Sequence, residues 1–372
     1  MLAAKIYPNE DVGIAAALIS SISLIVLISG FGLDQSIIRF FPEKDKNKIF
    51  STSVIISTAF SVLLGIIFIA GSDLWLPEQG LLKFSIAVFY LLFLALYSLV
   101  WLTGTSFIAI RRADFNFLQN IIAGSRIFFL FPLIFLGAMG IFGAVGASLI
   151  LVCIISVILL VRSGIKFVFT IDRIYLLDSL HFSVKNYLSG LLITAPTLIL
   201  PIMILNVLGA KETANYYIAY SIATLALMIP AAVSTSLFVE GSHGEILKKN
   251  TLKSFFTIVC LLIPTVIILY LFGGFILGII GKSYVEALEL LRIMAISSFF
   301  VAVINIYFSI KKVQKDMKGL VLLSALLFFL LIGLSYVFMP MFGIVGVGYA
   351  WMAGYGLSSL LIAVMIMTEG WI

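Results

Sequence analysis

The chain has 372 residues, 62% of them apolar and only 11% charged, where an average soluble domain carries about 25% charged residues. At a mean hydropathy of +1.23 there is too little polar surface to cover a globule of this size, so the excess must face lipid; a soluble enzyme, a secreted disulfide scaffold and a disordered chain are excluded. The net charge of +6 raises nucleic acid as a partner, which the placement of the 23 Lys and Arg decides.

A bilayer core needs about 20 apolar residues per helix. In chain order, eleven such runs stand between charge clusters: 12–34, 50–71, 81–108, 117–137, 141–162, 186–208, 214–238, 252–280, 286–310, 318–340 and 342–367. They are continuous rather than alternating, which predicts helices and not barrel strands. Seventeen of the basic residues fall in one set of alternate connections, from Arg39, Lys44, Lys46 and Lys48 to Lys311, Lys312, Lys315 and Lys318. Lys5, Lys83, Lys211 and Lys282 occupy the opposite set, and Arg126 and Arg292 lie within spans. The positive-inside rule therefore puts the first set and the C-terminus in the cytoplasm and Met1 outside. The charge is a topological label, and no nucleic-acid partner is expected. Cys153 and Cys260 lie inside apolar runs, while His181 and His243 stand alone in polar connections, so neither a disulfide framework nor a metal site is expected.

The chain repeats itself. Phe107-Ile108-Ala109-Ile110-Arg111-Arg112 recurs as Tyr307-Phe308-Ser309-Ile310-Lys311-Lys312, and Phe142-Gly143-Ala144-Val145-Gly146 as Phe342-Gly343-Ile344-Val345-Gly346, both at an offset of 200. The spans follow the same shift except 186–208, whose partner would fall at about −14 to 8, ahead of Met1. The expected architecture is an all-α polytopic membrane protein of two parallel six-helix repeats, the first largely lacking its first helix. It divides into an N-lobe 1–162, a cytoplasmic interfacial linker 163–185 and a C-lobe 186–372, with a site expected between the lobes.

Arg126 is the most informative residue. It sits about eleven residues into its run, about 16 Å deep, too far to reach either surface. A charge there normally faces protein or a wet cavity. Asn116, Gln119, Ala123 and Arg126 form one polar stripe at helical spacing, ending in a guanidinium suited to a phosphate or pyrophosphate. An ion pair with Asp34 or Glu240 is the structural alternative. Asp34, Gln35 and Arg39 are placed to line an inner mouth, or Arg39 to anchor a boundary. Tyr217, Tyr220, Ser221 and Thr224 form a stripe suited to sugar stacking and equally to helix packing. Ser298, Ala302, Asn305 and Ser309 form a small-polar stripe of the kind that joins helices. Pro196 and Pro201 interrupt 186–208, permitting a kink and a hinge.

Tyr7-Pro8-Asn9-Glu10-Asp11-Val12-Gly13 and Gly32-Leu33-Asp34-Gln35-Ser36-Ile37-Ile38-Arg39-Phe40 resemble the opening signature of the polysaccharide flippases. That family shares a superfamily with the multidrug and toxin extrusion transporters and the lipid II flippase. Phe142 to Ala147, Asn215-Tyr216-Tyr217 through Tyr220, and Tyr284 to Arg292 are also similar, and the resemblance covers nearly the whole chain. It implies a multidrug-and-toxin-extrusion-like transporter fold in the inner membrane. The implied activity is movement of a polyprenyl-diphosphate-linked oligosaccharide (an O-antigen, capsule or exopolysaccharide repeat unit) from the cytoplasmic to the outer leaflet. The implied mechanism is alternating access through a cationic cavity, with no cofactor and a proton or sodium gradient as the drive. Arg126 would hold the pyrophosphate and the tail would stay in membrane lipid; a glycan polymerase and glycosyltransferases are the implied pathway partners. Two other readings remain. A drug antiporter of the same fold would want an acidic cavity, whereas the deepest charge is Arg126. A membrane glycan polymerase or ligase would want a large outer loop, whereas the outer connections are short, so an enzyme is not expected.

Overall fold

The computed structural model describes residues 1–75, 84–242 and 247–369; Lys83 and His243 fall outside them. Every regular element among the described residues is helical. In order they are α1 (Ala3–Ile6), α2 (Asn9–Ser29), α3 (Leu33–Phe40), α4 (Lys46–Ala70), α5 (Ser72–Trp75), α6 (Phe84–Ala109), α7 (Ala113–Ala123), α8 (Arg126–Leu130), α9 (Ala138–Arg162), α10 (Arg173–Leu208), α11 (Ala210–Ser242), α12 (Leu247–Ile280), α13 (Leu288–Val313), α14 (Met317–Phe342) and α15 (Ile344–Glu369). Two 3-10 turns, Ile134–Leu136 and Lys282–Ala287, complete the series. Among the described residues, ten helices are long and apolar enough to cross a membrane, one fewer than the sequence runs suggest.

The run that fails is 117–137. The helix stops at Ala123, resumes for five residues as α8, and passes through a 3-10 turn to Gly137. Gly124 and Ser125 break it first; beyond them Pro132 lacks an N–H and its ring opposes the carbonyl four residues back. At Gly137 the backbone turns at φ +55° into α9. The run 12–34 is divided too, at Phe31 (φ +47°) and Gly32 (φ +73°), which sets Asp34, Gln35 and Arg39 on the separate short helix α3. Only glycine fits at 32, because a Cβ there would lie 2.7 Å from the Ser183 Cβ.

Two compact units emerge: Ile6–Leu191, and Leu192–Ile372 with Met1–Lys5. In the first, α4, α6 and α9 pack on α2. The segment 163–185, expected as a linker, is built into this unit. Ile165 and Tyr175 join the buried cluster of Leu33, Ile37, Ile49, Phe50 and Phe107. Polar side chains on α4 take up its backbone: Lys166 N–H donates to Asn47 Oδ1 (2.8 Å), Val168 N–H to Ser51 Oγ (2.8 Å) and Asp172 N–H to Thr52 Oγ1 (3.0 Å). From Arg173 it is already α10, so His181 lies in a helix rather than a connection, and the boundary between the units falls inside α10. That helix continues through Pro196 and Pro201 to Leu208. In the second unit α11, α12 and α15 pack on α13, and α14 packs on α15.

The order of the repeat is kept and its register drifts. The turn after α6 has Arg111 at φ +60° with Arg112 N–H donating to the Phe107 carbonyl (2.8 Å). The turn after α13 has Lys315 at φ +59° with Asp316 N–H donating to the Lys311 carbonyl (2.9 Å). These equivalent turns are 204 residues apart, not 200. Gly137 and Gly343, at φ +55° and +59°, open α9 and α15 in the same way. The expected match of Gly143 with Gly343 is therefore out of register, since Gly143 lies inside α9.

Candidate functional site

Within the first unit, α6, α7, α8 and α9 line an open cavity of about 540 Å3. Its wall includes Tyr97, Trp101, Asn116, Gln119, Asn120, Arg126 and Ser148. Among the described residues, Arg126 is the one charged side chain in that wall, and no carboxylate lines it.

Close contact between α6 and α7 creates the wall. A Cβ at Gly104 would sit 2.7 Å from Gln119 Oε1, so glycine lets α7 approach. Gln119, buried, donates from Nε2 to the Val100 carbonyl (2.7 Å) and to Thr103 Oγ1 (3.2 Å). Asn116 Nδ2 donates to the Gly104 carbonyl (3.2 Å), and Asn116 Oδ1 accepts from Asn120 Nδ2 (2.7 Å). The Gln119 amide hydrogens thus hold α7 on α6, as one donation from Asn116 also does; both residues line the cavity while fastening its wall.

Arg126 differs from both. It opens α8, is exposed, and has no hydrogen-bond or ion-pair partner among the described residues. Asp34 instead accepts from Gln35 Nε2 (3.0 Å), and Glu240 accepts from Ser236 Oγ (3.2 Å). The expected single helical stripe from Asn116 to Arg126 is broken at Gly124-Ser125, so a depth counted along one helix does not apply to Arg126. Asn116, Gln119, Ala123 and Arg126 nevertheless line one cavity, because the break redirects the chain without taking it away from α6 and α9.

The other expected residues are not brought to this cavity. Asp34, Gln35 and Arg39 lie on α3, and Arg39 Nη1 pairs with Glu43 Oε1 one turn on (2.6 Å) with both side chains half exposed. On α11 the expected stripe separates. Tyr217 is exposed; Ser221 Oγ donates to the Tyr217 carbonyl (2.7 Å) and Thr224 Oγ1 to the Ser221 carbonyl (2.6 Å). Tyr220 turns the other way, stacked on Tyr216 at 5.8 Å and edge-on to Trp351 at 5.7 Å.

A family model described as polysaccharide biosynthesis protein matches residues 1–239, more than half of the chain. The chain belongs to this family. A Shigella flexneri protein named "Putative O-antigen transporter" is 25% identical to this chain over 362 residues, covering 89% of this chain and 84% of the relative. An inward-facing multidrug resistance MATE family transporter of the MOP superfamily superposes with a TM-score of 0.76 at 16% identity, over 97% of this chain and 90% of the other. The lipid II flippase MurJ, in an inward closed conformation, superposes with a TM-score of 0.73 at 16% identity, over 99% and 84%. At these identities the superpositions show the fold: the transporter fold of that superfamily, in a multi-pass membrane protein. The family expected from the Tyr7 to Gly13 and Gly32 to Phe40 motifs is the family found, and it is one of transporters rather than enzymes.

Sequence reasoning missed other parts of the cavity wall, Asn120, Tyr97, Trp101 and Ser148 among them. Asn120 sits one residue from the stripe and was reachable by the same spacing. Tyr97 and Trp101 lie in an uninterrupted apolar run, where nothing distinguishes a cavity-lining aromatic from one facing lipid.

Proposed function

We propose that the chain is a flippase for a polyprenyl-diphosphate-linked oligosaccharide, an O-antigen, capsule or exopolysaccharide repeat unit. In this reading it acts in the inner membrane with its C-terminus cytoplasmic, passing the glycan from the cytoplasmic to the outer leaflet by alternating access. The observation that carries the reading is Arg126: an unpaired guanidinium in the wall of a cavity that no carboxylate lines. A planar fork of donors with nothing to bind is suited to the pyrophosphate, which accepts two parallel hydrogen bonds. The same wall argues against a cationic drug as cargo, which would meet a like charge and no acid.

The Shigella relative's name and the lipid II flippase's fold agree with a lipid-linked glycan cargo. In this reading the polyprenyl tail stays in lipid. A proton or sodium gradient is the proposed drive, because the sequence carries no nucleotide-binding motif. Glycosyltransferases would supply the cargo and a glycan polymerase would consume it.

The test is Arg126→Ala at matched membrane expression. Charge-assisted contacts to a phosphate are worth about 1.5–3 kcal/mol, so surface glycan delivery should fall roughly 10- to 100-fold. Delivery at the native level would remove Arg126 from the mechanism and the anion site with it.

A further inference from the structure

Between the spans Ala138–Arg162 and Ser183–Leu208 the first unit carries a segment that belongs to neither. Its backbone is fastened to α4 through the N–H groups of Lys166, Val168 and Asp172, and Thr52 Oγ1 donates back to the Thr170 carbonyl (3.3 Å). Pinned this way, the segment keeps Ile165 buried and leaves other apolar side chains outside. Phe169 is 90% exposed; Phe167, edge-on to it at 5.2 Å, and Ile171 are exposed as well.

The first turns of α10 continue that surface. Tyr175, Ser179 and Ser183 are buried on one face, where both serines hydrogen-bond to Ser36 of α3. Ile174 and Leu177, 71% and 70% exposed, begin a stripe that runs on through Leu180, Val184 and Leu188 at helical spacing. With 36 residues α10 is about 54 Å long, against a hydrocarbon core of about 30 Å, so its first turns lie outside the core. An apolar stripe there is not explained by spanning.

The free charges around it are of one sign. Asp178 is paired with Lys44 (2.6 Å), and Asp172 Oδ1 accepts from the Tyr175 N–H (3.0 Å). Arg162, Lys166, Arg173 and Lys185 are exposed and have no ion-pair partner among the described residues. A face of Phe, Ile and Leu set among unpaired cations is complementary to an anionic lipid surface: the apolar side chains enter the acyl boundary and the cations meet phosphates. The strip also joins two spans, leaving one at Arg162 and entering the next near Ser183, which keeps it beside headgroups.

We infer that residues 165–180 form an interfacial anchor of the first unit, which seats in the adjoining leaflet and binds anionic phospholipid. The inference takes from the reading above that this face is the cytoplasmic one, where the leaflet is negatively charged.

The test is site-directed spin labelling of the full chain, with Cys153→Ala and Cys260→Ala to clear the background. A nitroxide on Phe169→Cys is compared with one on Lys46→Cys, an exposed position at the start of α4. The vesicles are phosphatidylcholine alone and an equal mixture of phosphatidylcholine and phosphatidylglycerol. Collisions with oxygen, relative to those with a water-soluble nickel chelate, should be severalfold more frequent at 169 than at 46, and most so in the mixture. Combining Arg162→Gln, Lys166→Gln and Arg173→Gln should abolish the difference between the two vesicles. Leu177→Cys, on the helical stripe, reads the same property should Phe169→Cys not fold. Water-side collisions at 169 and 177 in both vesicles would overturn the anchor. Equal insertion in the two vesicles, or a difference that survives the triple variant, would overturn recognition of anionic lipid. Dipolar broadening between labelled molecules would put a second copy of the chain on this face instead. Both vesicles are symmetric, so the result does not depend on which face is cytoplasmic, and it stands or falls apart from the Arg126→Ala test of transport.

Discussion

The Tyr7 hydroxyl donates a 2.6 Å hydrogen bond to the Leu130 carbonyl, tying the segment ahead of α2 to the last residue of α8. That carbonyl ends a helix with Pro132 just beyond it, so it needs an outside donor. Four residues on from Tyr7, Asp11 accepts from the Ala138 N–H (3.0 Å) and satisfies a first-turn donor of α9. Burial, with the Asp11 charge added to it, pushes the Tyr7 phenol above its ordinary pKa, so it remains a donor at physiological pH. One short motif thus holds both ends of the stretch from the end of α8 to the start of α9.

Tyr7→Phe and Asp11→Ala should therefore each cost about 1 kcal/mol. The expected readout is a fall of a few degrees in the unfolding temperature of the purified chain. Asp11→Asn, which keeps a capping oxygen, should fall less than Asp11→Ala. Equal temperatures for native, Tyr7→Phe and Asp11→Ala would mean the segment is held by packing alone.

Glycines at the start of α9 and of α15 make a sharper prediction. A Cβ on Gly140 would overlap the Leu133 carbonyl oxygen, and one on Gly346 would overlap the Phe338 carbonyl oxygen. Both contacts are to backbone, which cannot swing aside. Gly140→Ala and Gly346→Ala should each lower folded yield severely, judged by monodisperse elution from detergent. Gly333→Ala, with nothing within 4 Å of the added carbon, should elute as the native chain does.

These contacts mark how far the sequence could be read. Continuous apolar runs need only the bilayer's thickness to become helices, so ten of eleven were legible from α2 to α15. The eleventh failed because Gly124-Ser125 and Pro132 outweigh apolarity once Tyr7 and the local turns can satisfy the freed backbone. The Tyr7 to Gly13 motif was legible as a family signature, whereas its partners Leu130 and Ala138, more than 100 residues away, were not. Arg126, Gln119 and Asn116 could be grouped because spacing survives a helix break. Tyr217 and Tyr220 were grouped by the same rule and separate, because a stripe three residues wide does not say which edge faces a neighbour.

Gln119 and Arg126 line the same cavity with opposite commitments, which separates wall from ligand contact. Gln119→Leu removes two donations to α6, one to the Val100 carbonyl and one to Thr103 Oγ1. It should lower the unfolding temperature, with delivery falling only as far as the amount of folded protein does. Arg126→Lys keeps the charge and loses the planar fork. It should leave the unfolding temperature unchanged while delivery per folded molecule drops. The opposite pattern, a stable Gln119→Leu that does not deliver, would make Gln119 a ligand contact.

Asp316 provides a test by pH. It caps α14, accepting from the Gly319 N–H (3.1 Å), and pairs with Lys311 Nζ (3.0 Å) in the turn that Lys315 closes at positive φ. The Gly319 N–H first, and the Lys311 ammonium second, hold its carboxyl below the usual carboxylate pKa. A depressed pKa in the folded state means that the carboxylate contributes stability above its unfolded value of about 4, and loses that contribution as pH falls through the folded value. The unfolding temperature of the native chain should therefore fall more steeply below about pH 4 than that of Asp316→Asn, which keeps a capping oxygen and carries no charge. At pH 7 the order of stability should be native above Asn, and the gap should close on acidification. Parallel curves for the two proteins from pH 7 to about pH 3 would show that neither the cap nor the Lys311 pair depends on the charge of Asp316.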